Sequence, residues 1–532
     1  MPGEITVSEL QLSQTAVPHV LMNHWQNMRT FSLDENVDVV VIGTGAGGAP
    51  LLARLAGAGL KVIAFEAGPR FDPYKDFATD EKSQGQIFWT HERISSGKDA
   101  MSFGRNNSGT GVGGSTLHYT AYTPRAHRDD IFDWPINFSD LERYYEEVED
   151  LLGVSGPEEY PWGSRKKPYP MKALPLNQAG FVMLKACNEM GIKASPAPNA
   201  ALSGIYYKEG IGWRPACGNR GFCQSGCNLG AKASMDVTYI PLAVNRGAEV
   251  RDECFVTGFE FDLSRKKITG VNYLYQGKSY VQKCQAVFLA AGGIETPRLL
   301  LLNNVGNSSN QVGRNFMAHP GSQVWGTFKE NMRPYFGIPG AAISEDFHRA
   351  PKGEYQGGYL IQSLGITPVT YASQLVRWRK LRGEKLKQHM KNYMHMAGIN
   401  MMGECFPSEG NFMELSSEID DLGLAKPLVH FSYGPNELKM MEHAENLMVK
   451  IWKKAGAEDI WVHRRSAHLI GTCRMGKDPR NSVVDETGKC HDMDNLYISD
   501  NSIFPSSLTV NPALTIMALS LKIADQFLQK IR

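Results

Sequence analysis

Three glycines of a G-x-G-x-x-G motif stand directly after a run of β-branched residues, and an acidic residue follows about 20 positions later. The glycines are Gly43, Gly45 and Gly48, the run is Val37–Ile42, and the acidic residue is Glu66. Such glycines allow a tight turn and bring the backbone close to a pyrophosphate, which binds at the N-terminus of the next helix. Glu66 would accept a hydrogen bond from an adenosine ribose. Together with a second strand, Val62–Phe65, this order predicts dinucleotide binding.

Three cysteines lie close together in the glycine-rich segment 214–234, with the spacing C-x5-C-x3-C. They are Cys217, Cys223 and Cys227. Cysteine thiolates are the usual ligands of iron–sulfur centres, and three of them at this spacing suit one. Tetrahedral zinc would need a fourth ligand, and no histidine lies nearby in the sequence. A buried loop without any cofactor is the alternative.

A second glycine-dense segment covers residues 104–125. At its centre Gly113, Gly114, Ser115 and Thr116 offer backbone amides and two hydroxyl groups at close range. We interpret this segment as a second contact for an extended cofactor, with a surface loop as the alternative.

The bulk properties exclude several classes of protein. The chain has 532 residues, enough for two or more domains, and its formal net charge of +1 provides no global field that would attract nucleic acid. It contains no apolar run long enough to span a bilayer. Its first residues lack the basic start and apolar stretch of an export signal. Nine cysteines, an odd number, do not indicate a disulfide framework.

The N-terminal half is predicted to begin with an arm, residues 1–36, before the nucleotide-binding unit. Pro50 disfavours the helix expected after the glycines, because proline has no backbone N–H to donate. A further helix is expected over residues 139–152, with Ser139 and Glu142 as its capping box. The proline-rich residues 153–180 are interpreted as a surface connection.

Short strands follow from Ala248, and the aromatic, alternating residues 321–435 indicate a separate unit built on a sheet. The βα pattern returns near Asn495 and closes with a helix over 512–530, for which Asn511 would be the N-cap and Pro512 the first residue. We therefore predict an α/β fold in which a Rossmann-like domain is split by an inserted α+β domain with an antiparallel sheet. The first domain takes residues 37–130, 210–320 and 463–532, and the second takes 131–209 and 321–462.

Five segments spread over nearly the whole chain resemble the glucose–methanol–choline (GMC) family of flavin oxidoreductases. They are the motif at 43–48 with Glu66, VGGST at 112–116, AVFLAAGGIETPRLLL at 286–301, VGRNFMAHP at 312–320 and NLYISDNSIFPSSLTVNPALTIMAL at 495–519. Within the family, the chain looks most like the large subunits of bacterial gluconate, fructose and glucose dehydrogenases. Ala318 stands where the family usually has an acidic residue, so we assign no chemical role to the loop at 312–320.

The resemblance implies FAD rather than NAD as the cofactor. The adenine would lie near Glu66 and Val256, and the pyrophosphate on residues 43–48. The isoalloxazine ring would lie near 112–118 and 500–515, a range that includes Asp500, Pro512 and Thr515. His118 resembles a position where some members attach FAD covalently, and packing against the ring is the alternative.

The resemblance also implies the reaction. His468, in SAHLIGTCRMG, matches the catalytic histidine, and Asn511 matches its partner. These assignments imply a dehydrogenase that oxidises a CH–OH group of a sugar, sugar acid or glycoside by hydride transfer to flavin N5. A [3Fe–4S] cluster at the three cysteines would pass electrons to cytochrome c or a quinone.

In the resembled complexes a small subunit carries the export signal, so the chain is expected in the cytoplasm or, exported with a partner, in the periplasm. One alternative is an oxidase that forms hydrogen peroxide. The other is a flavin subunit that only relays electrons.

Overall fold

The computed structural model describes residues 24–101, 108–163, 165–351 and 353–531. Residues 1–23 of the predicted arm and residues 104–107 of the second glycine segment lie outside these ranges. The rest of the arm packs on the nucleotide-binding unit. The Nδ1 atom of His24 lies 2.7 Å from the Oδ1 atom of Asn245, and the backbone N–H of Phe31 donates to the carboxylate of Glu249.

The α-helices are α1 Ala49–Gly57, α2 Pro73–Asp76, α3 Gln84–Ile87, α4 Phe138–Leu152, α5 Gln178–Glu189, α6 Tyr239–Asn245, α7 Gly292–Leu302, α8 Pro368–Trp378, α9 Gly383–Met390, α10 Pro435–Lys454 and α11 Ala513–Ile531. The first ten strands are β1 Val37–Ile42, β2 Val62–Phe65, β3 Ile94–Ser96, β4 Ser155–Gly156, β5 Met171–Lys172, β6 Ser195–Pro196, β7 Tyr206–Lys208, β8 Gly212–Arg214, β9 Glu249–Arg251 and β10 Phe255–Phe261. The remaining strands are β11 Ile268–Tyr275, β12 Lys278–Leu289, β13 Met317–Thr327, β14 Ala342–Ser344, β15 Tyr359–Leu364, β16 Met396–Gly403, β17 Phe412–Ile419, β18 Ala425–His430, β19 Glu458–Ile470 and β20 Leu496–Ile498.

A parallel sheet forms the nucleotide-binding unit. Strands β20, β12, β1, β2 and β9 pair in parallel in that order, and β10 and β11 extend the sheet in antiparallel fashion from the first half of β12. The valines of β1 are buried almost completely, as expected for a parallel strand covered on both faces. The predicted strands Val37–Ile42 and Val62–Phe65 are thus confirmed.

The N-termini of α1 and α4 differ in how they relate to the sequence predictions. Pro50 is the second residue of α1, where its missing N–H has no partner within the helix and therefore costs nothing. The capping box predicted from Ser139 and Glu142 is wrong, because α4 begins at Phe138 and its N-cap is Asn137. Ser139 therefore lies within the first turn of the helix rather than before it.

A six-stranded antiparallel sheet forms the second unit, with the order β19-β13-β16-β15-β14-β6. Its side chains alternate between two faces, since successive residues of a strand point to opposite sides. One face is apolar and packs on α10, where Val324, Ile361, Ile399 and Met401 contact Met448 and its helical neighbours. The other face carries polar residues and faces the glycine loop of the first unit.

These sheets confirm the predicted fold class, a Rossmann-like domain combined with an antiparallel-sheet domain. The proposed domain limits at 320/321 and 462/463 fall inside β13 and β19, which pair with each other, and the limits themselves stay a prediction. Among the described residues, no helix is both long and apolar enough to cross a membrane.

Candidate active site

A large cavity lies between the two sheets, and the glycine motif forms one of its walls. Gly43 has φ +103°, and a Cβ atom there would collide with the carbonyl group of Ala290. A Cβ atom on Gly48 would collide with the carbonyl oxygen of Gly43, so this glycine permits close packing of loop and helix. A Cβ atom on Gly45 would collide with nothing, because the nearest atom to it would be the Cα of Gly114 at 3.7 Å. Its missing side chain leaves the cavity wall open at the start of α1.

The second glycine segment forms the adjoining wall. Gly114, Ser115, Thr116 and His118 border the cavity, whereas Gly113 does not. Gly113 has φ +115°, and its N–H donates to the Oγ1 atom of Thr44 over 3.1 Å. Gly113 therefore joins the two glycine loops rather than facing the cavity.

Glu66 also borders the cavity, at the end of β2. Its Oε2 atom accepts hydrogen bonds from the backbone and hydroxyl of Thr44, at 3.2 and 2.7 Å. Its Oε1 atom accepts from the backbone N–H groups of Gly68 and Gly111, at 3.2 and 3.3 Å. Burial raises the pKa of this carboxyl group. Glu66 thus ties both glycine loops together at the place predicted for the ribose.

Most of the remaining predicted cofactor residues border the same cavity, namely Val256, Asp500 and Pro512. Asp500 is buried, and its Oδ2 atom accepts from the N–H of Gly292 and the hydroxyl of Thr296. Thr515 does not border the cavity. Its hydroxyl lies 2.9 Å from that of Tyr145, because α11 turns this position toward α4.

His118 has a buried imidazole that opens onto the cavity, and its Nε2 atom lacks a hydrogen-bond partner among the described residues. Burial, helped by the positive charge of Lys232, lowers the pKa of His118 to about 3. The ring is therefore neutral, and its free nitrogen suits either predicted role, attachment to the cofactor or contact with it.

His468 borders the cavity from the end of β19, where the strand is distorted. Strand β13 pairs with Leu469 and with Ala467 but skips His468, which has φ +57°. A bulge of this kind re-aims a side chain, and a left-handed conformation is uncommon for a residue other than glycine. The loss of solvent contact lowers the pKa of His468 well below 6.5, and the nearby His319 and Arg465 lower it further. The imidazole is thus a neutral base at ordinary pH.

Asn511 borders the cavity from the residue before Pro512, just ahead of α11. Its Oδ1 atom is buried and has no hydrogen-bond partner among the described residues. The predicted N-cap role of its side chain is therefore wrong, since capping would require that oxygen to accept a helix N–H. The oxygen is available to a ligand instead.

The cavity also contains residues that the sequence did not single out. Gln362 and Asn400 lie on β15 and β16, and their amide oxygens are buried without a partner among the described residues. Arg465 borders the cavity two residues before Ala467. In the sequence, these residues could have been recognised as polar side chains at alternate positions of strands that are otherwise apolar.

His319 is a further residue that the sequence analysis set aside. Its loop at 312–320 received no chemical role, yet its Nδ1 atom lies 2.9 Å from the Nδ1 atom of His468. The sequence signal for His319 is its place in the VGRNFMAHP segment, next to Ala318.

The predicted iron–sulfur site at the three cysteines stays a prediction. In the part of the chain that the structure describes, no group of three or more His, Cys, Asp or Glu residues is arranged to hold a metal ion. Burial raises the pKa of Cys217, and it raises the pKa of Cys223 to about 12. The nearby Cys217 and Cys227 add to the rise in the pKa of Cys223. Electron transfer through Cys217, Cys223 and Cys227 likewise stays a prediction.

The residues fit FAD on three observations. The opening at Gly45 leaves room where a pyrophosphate would bind at the N-terminus of α1. The unpartnered nitrogen of His118 and the unpartnered oxygen of Asn511 both face the cavity, at the end predicted for the isoalloxazine ring.

Comparison with known proteins agrees with this geometry. Two profiles of the GMC oxidoreductase family match the chain, one over residues 96–321 and one over residues 407–520. The fructose dehydrogenase large subunit of Gluconobacter japonicus is 29% identical, with 93% of this chain and 98% of that protein covered. The 2-methyl-1,2-propanediol dehydrogenase of Mycolicibacterium austroafricanum is 28% identical, with 93% and 96% covered. The formate oxidase of Aspergillus oryzae shares the fold, with a TM-score of 0.71 at 15% identity over 94% of this chain and 99% of that one.

Proposed function

The chain belongs to the GMC oxidoreductase family, a family of FAD-dependent enzymes that act on CH–OH donors, and we propose that it is a dehydrogenase for a sugar, sugar acid or glycoside. The observation that carries this proposal is the meeting of two distant segments at one cavity. His468 from β19 and Asn511 from the start of α11 border the same space as the glycine loop at 43–48. An intact pair of this kind argues against a subunit that only relays electrons.

FAD would be held along the cavity wall, and when bound it supplies the acceptor for the hydride of the oxidised carbon. The backbone around Gly45 would hold its pyrophosphate, and Glu66 and Val256 would flank its adenosine. The N-terminus of α11 borders the cavity through Pro512 and Ala513, and its positive end would stabilise negative charge there.

His468 performs the proton transfer in this proposal. Its neutral imidazole accepts the proton of the substrate hydroxyl, while Asn511 holds the substrate oxygen through its amide group. Arg465 lies on the same wall, and its charge opposes protonation of His468 before the substrate arrives.

Anaerobic mixing of the purified flavoprotein with a panel of sugars, sugar acids and simple alcohols tests the reaction. We expect the visible flavin absorbance to bleach with at least one polyhydroxylated donor. A flavin that no CH–OH donor reduces would contradict the proposed function. Acid precipitation of the same protein tests the covalent attachment predicted at His118, because covalently attached flavin stays with the pellet, and its loss in His118→Ala would locate the bond.

The acceptor of the electrons from the reduced flavin can be identified in a separate experiment. Both relatives described above are dehydrogenases by name, which supports an external electron acceptor. We expect an artificial dye to support turnover at least about tenfold faster than oxygen, a difference of about 1.4 kcal/mol in barrier. Faster oxygen consumption with release of hydrogen peroxide would favour the oxidase alternative. Iron analysis of the same sample tests the predicted cluster at the three cysteines. A small subunit and cytochrome c or a quinone stay predicted partners.

The environment of His468 also predicts the pH dependence. Because its folded-state pKa lies well below 6.5, the imidazole remains an unprotonated base as the pH falls through 6.5. The limiting rate of flavin reduction should therefore stay constant between about pH 8 and 6.5 and decline only at lower pH. An acid limb centred at or above pH 6.5 in stopped-flow reduction would contradict this expectation.

A further inference from the structure

His319 and His468 form a directed contact beside the cavity. Their Nδ1 atoms are 2.9 Å apart, and their rings are nearly perpendicular, at 89°. His319 is fully buried on β13, and its backbone carbonyl accepts a hydrogen bond from the hydroxyl of Tyr433. A contact between two imidazole nitrogens needs one donor and one acceptor, so only one of the two can carry the proton.

The contact made by the Nε2 atom of His319 determines which of the two Nδ1 atoms carries the proton. Its Nε2 atom lies 3.1 Å from the carbonyl oxygen of Leu508, and a carbonyl oxygen can only accept. His319 therefore carries its proton on Nε2. Burial lowers the pKa of His319 to about 4, so the ring is neutral and its Nδ1 atom is an acceptor. The Nδ1 atom of His468 must then be the donor.

We propose that His319 is a positioning residue that holds His468 in the Nδ1–H tautomer and leaves its Nε2 lone pair free for the substrate hydroxyl. This inference rests on the proposed function, in which His468 is the base. The opposite arrangement would place the lone pair of the His319 Nε2 atom against the Leu508 carbonyl oxygen. The other titratable or charged groups that act on the pair are Asp130 on His319, and His118 and Arg465 on His468, Arg465 from the same strand.

Replacement of His319 tests the role of the acceptor. In His319→Leu we expect the limiting rate of flavin reduction to fall about 10- to 100-fold, less than the loss of the base itself, with the substrate dissociation constant nearly unchanged. His319→Asn supplies an acceptor oxygen and should recover most of the rate. His463→Leu is the matched control, because His463 is a buried neutral histidine on β19 that does not border the cavity.

An unchanged limiting rate in His319→Leu, or an equal loss in His463→Leu, would overturn the proposal. A measurement on the unaltered protein guards against a variant that fails to fold. In the oxidised holoenzyme labelled with ¹⁵N-histidine, His468 should show a protonated Nδ1 and an unprotonated Nε2, with its signals assigned by their absence in His468→Ala. A protonated Nε2 on His468 would also overturn the proposal. If no donor bleaches the flavin at all, the proposed function fails, but this tautomer can still be read.

A second, independent observation concerns the substrate wall. Gln362 and Asn400 face each other as a cross-strand pair between β15 and β16. The two residues are 7% and 1% exposed, and both amide oxygens lack a partner among the described residues. Buried amides are normally hydrogen-bonded, and leaving one unpaired is costly. Since both border the cavity, a ligand is the available partner.

We infer that Gln362 and Asn400 bind neighbouring hydroxyl groups of a polyhydroxylated substrate. Side chains of a directly opposed pair start about 5 Å apart, which allows two amides to reach adjacent carbons of one chain. Each amide offers an acceptor and two donor hydrogens, and a hydroxyl group can satisfy both kinds. This inference also rests on the proposed function and narrows its substrate class.

The matched variants are Gln362→Met, Asn400→Leu and, as a control, Gln374→Met. Gln374 also has an unpartnered oxygen, but it lies on α8 outside the cavity lining and donates to Gln323. Each of the first two variants should raise the dissociation constant of D-fructose or D-gluconate about three- to tenfold, as expected for one neutral hydrogen bond, and leave that of 1-propanol unchanged. Equal weakening for 1-propanol, or no change for the polyols, would overturn this inference. Absence of bleaching by every donor in the unaltered enzyme would instead count against the proposed function.

Discussion

Replacement of His468 by alanine should slow the reduction of the flavin by substrate about 10³-fold, within the range expected for loss of a positioned general base. His468 is the neutral imidazole that the bulge in β19 aims into the cavity. Without it, the substrate hydroxyl has no positioned base to take its proton as the hydride leaves. FAD should remain bound, because the glycine loops and Glu66 are untouched. Stopped-flow anaerobic absorbance measures the rate, and the flavin-to-protein ratio measures the occupancy.

His463→Ala is the matched control for this experiment. It removes a second buried imidazole from the same strand, one that stacks between Trp378 and Trp461 away from the cavity. It should retain nearly the full rate of reduction. Bleaching of His468→Ala at the rate of the unaltered enzyme would end the assignment of the base.

The parts of the fold that were predictable from the sequence are those encoded by neighbouring residues. The strand, the three glycines and the helix occupy one short segment, and the need for a positive φ at Gly43 is a local property. The period-2 pattern after Ala248 likewise predicts β10, β11 and β12 from short-range information. The same holds for the helix after Pro512.

The site was less predictable because its contacts join distant residues. His319 and His468 are 149 positions apart, and only the register of β13 against β19 brings them together. The pairing of Gln362 with Asn400 depends in the same way on β15 and β16. Thr515 was included through a range of the chain, whereas the turn of α11 directs it to Tyr145. The cysteine spacing is a local property, whereas the arrangement of three thiolates around a metal depends on the fold of the whole loop.

Gly45→Val should abolish retention of FAD while the chain still folds. Unlike Gly43 and Gly48, Gly45 has no collision to avoid, since the nearest atom to an added Cβ would be 3.7 Å away. Its φ also lies outside the left-handed region, so the backbone accepts a side chain there without strain. A valine would instead fill the space between the two glycine loops where the pyrophosphate is predicted to lie. The expected result is a colourless protein with an unchanged circular dichroism spectrum.

Gly410→Val provides the comparison, because Gly410 is exposed and its nearest neighbour would be the Ser408 hydroxyl at 4.0 Å. Both variants lose the same conformational freedom and gain the same side chain, but of the two positions only Gly45 borders the cavity. Gly410→Val should therefore purify with the flavin content of the unaltered protein. A yellow Gly45→Val protein with full flavin occupancy would show that the pyrophosphate does not approach the backbone at this glycine. The proposed placement of the cofactor along the cavity would then be wrong, and with it the role of His468 as the base beside that cofactor.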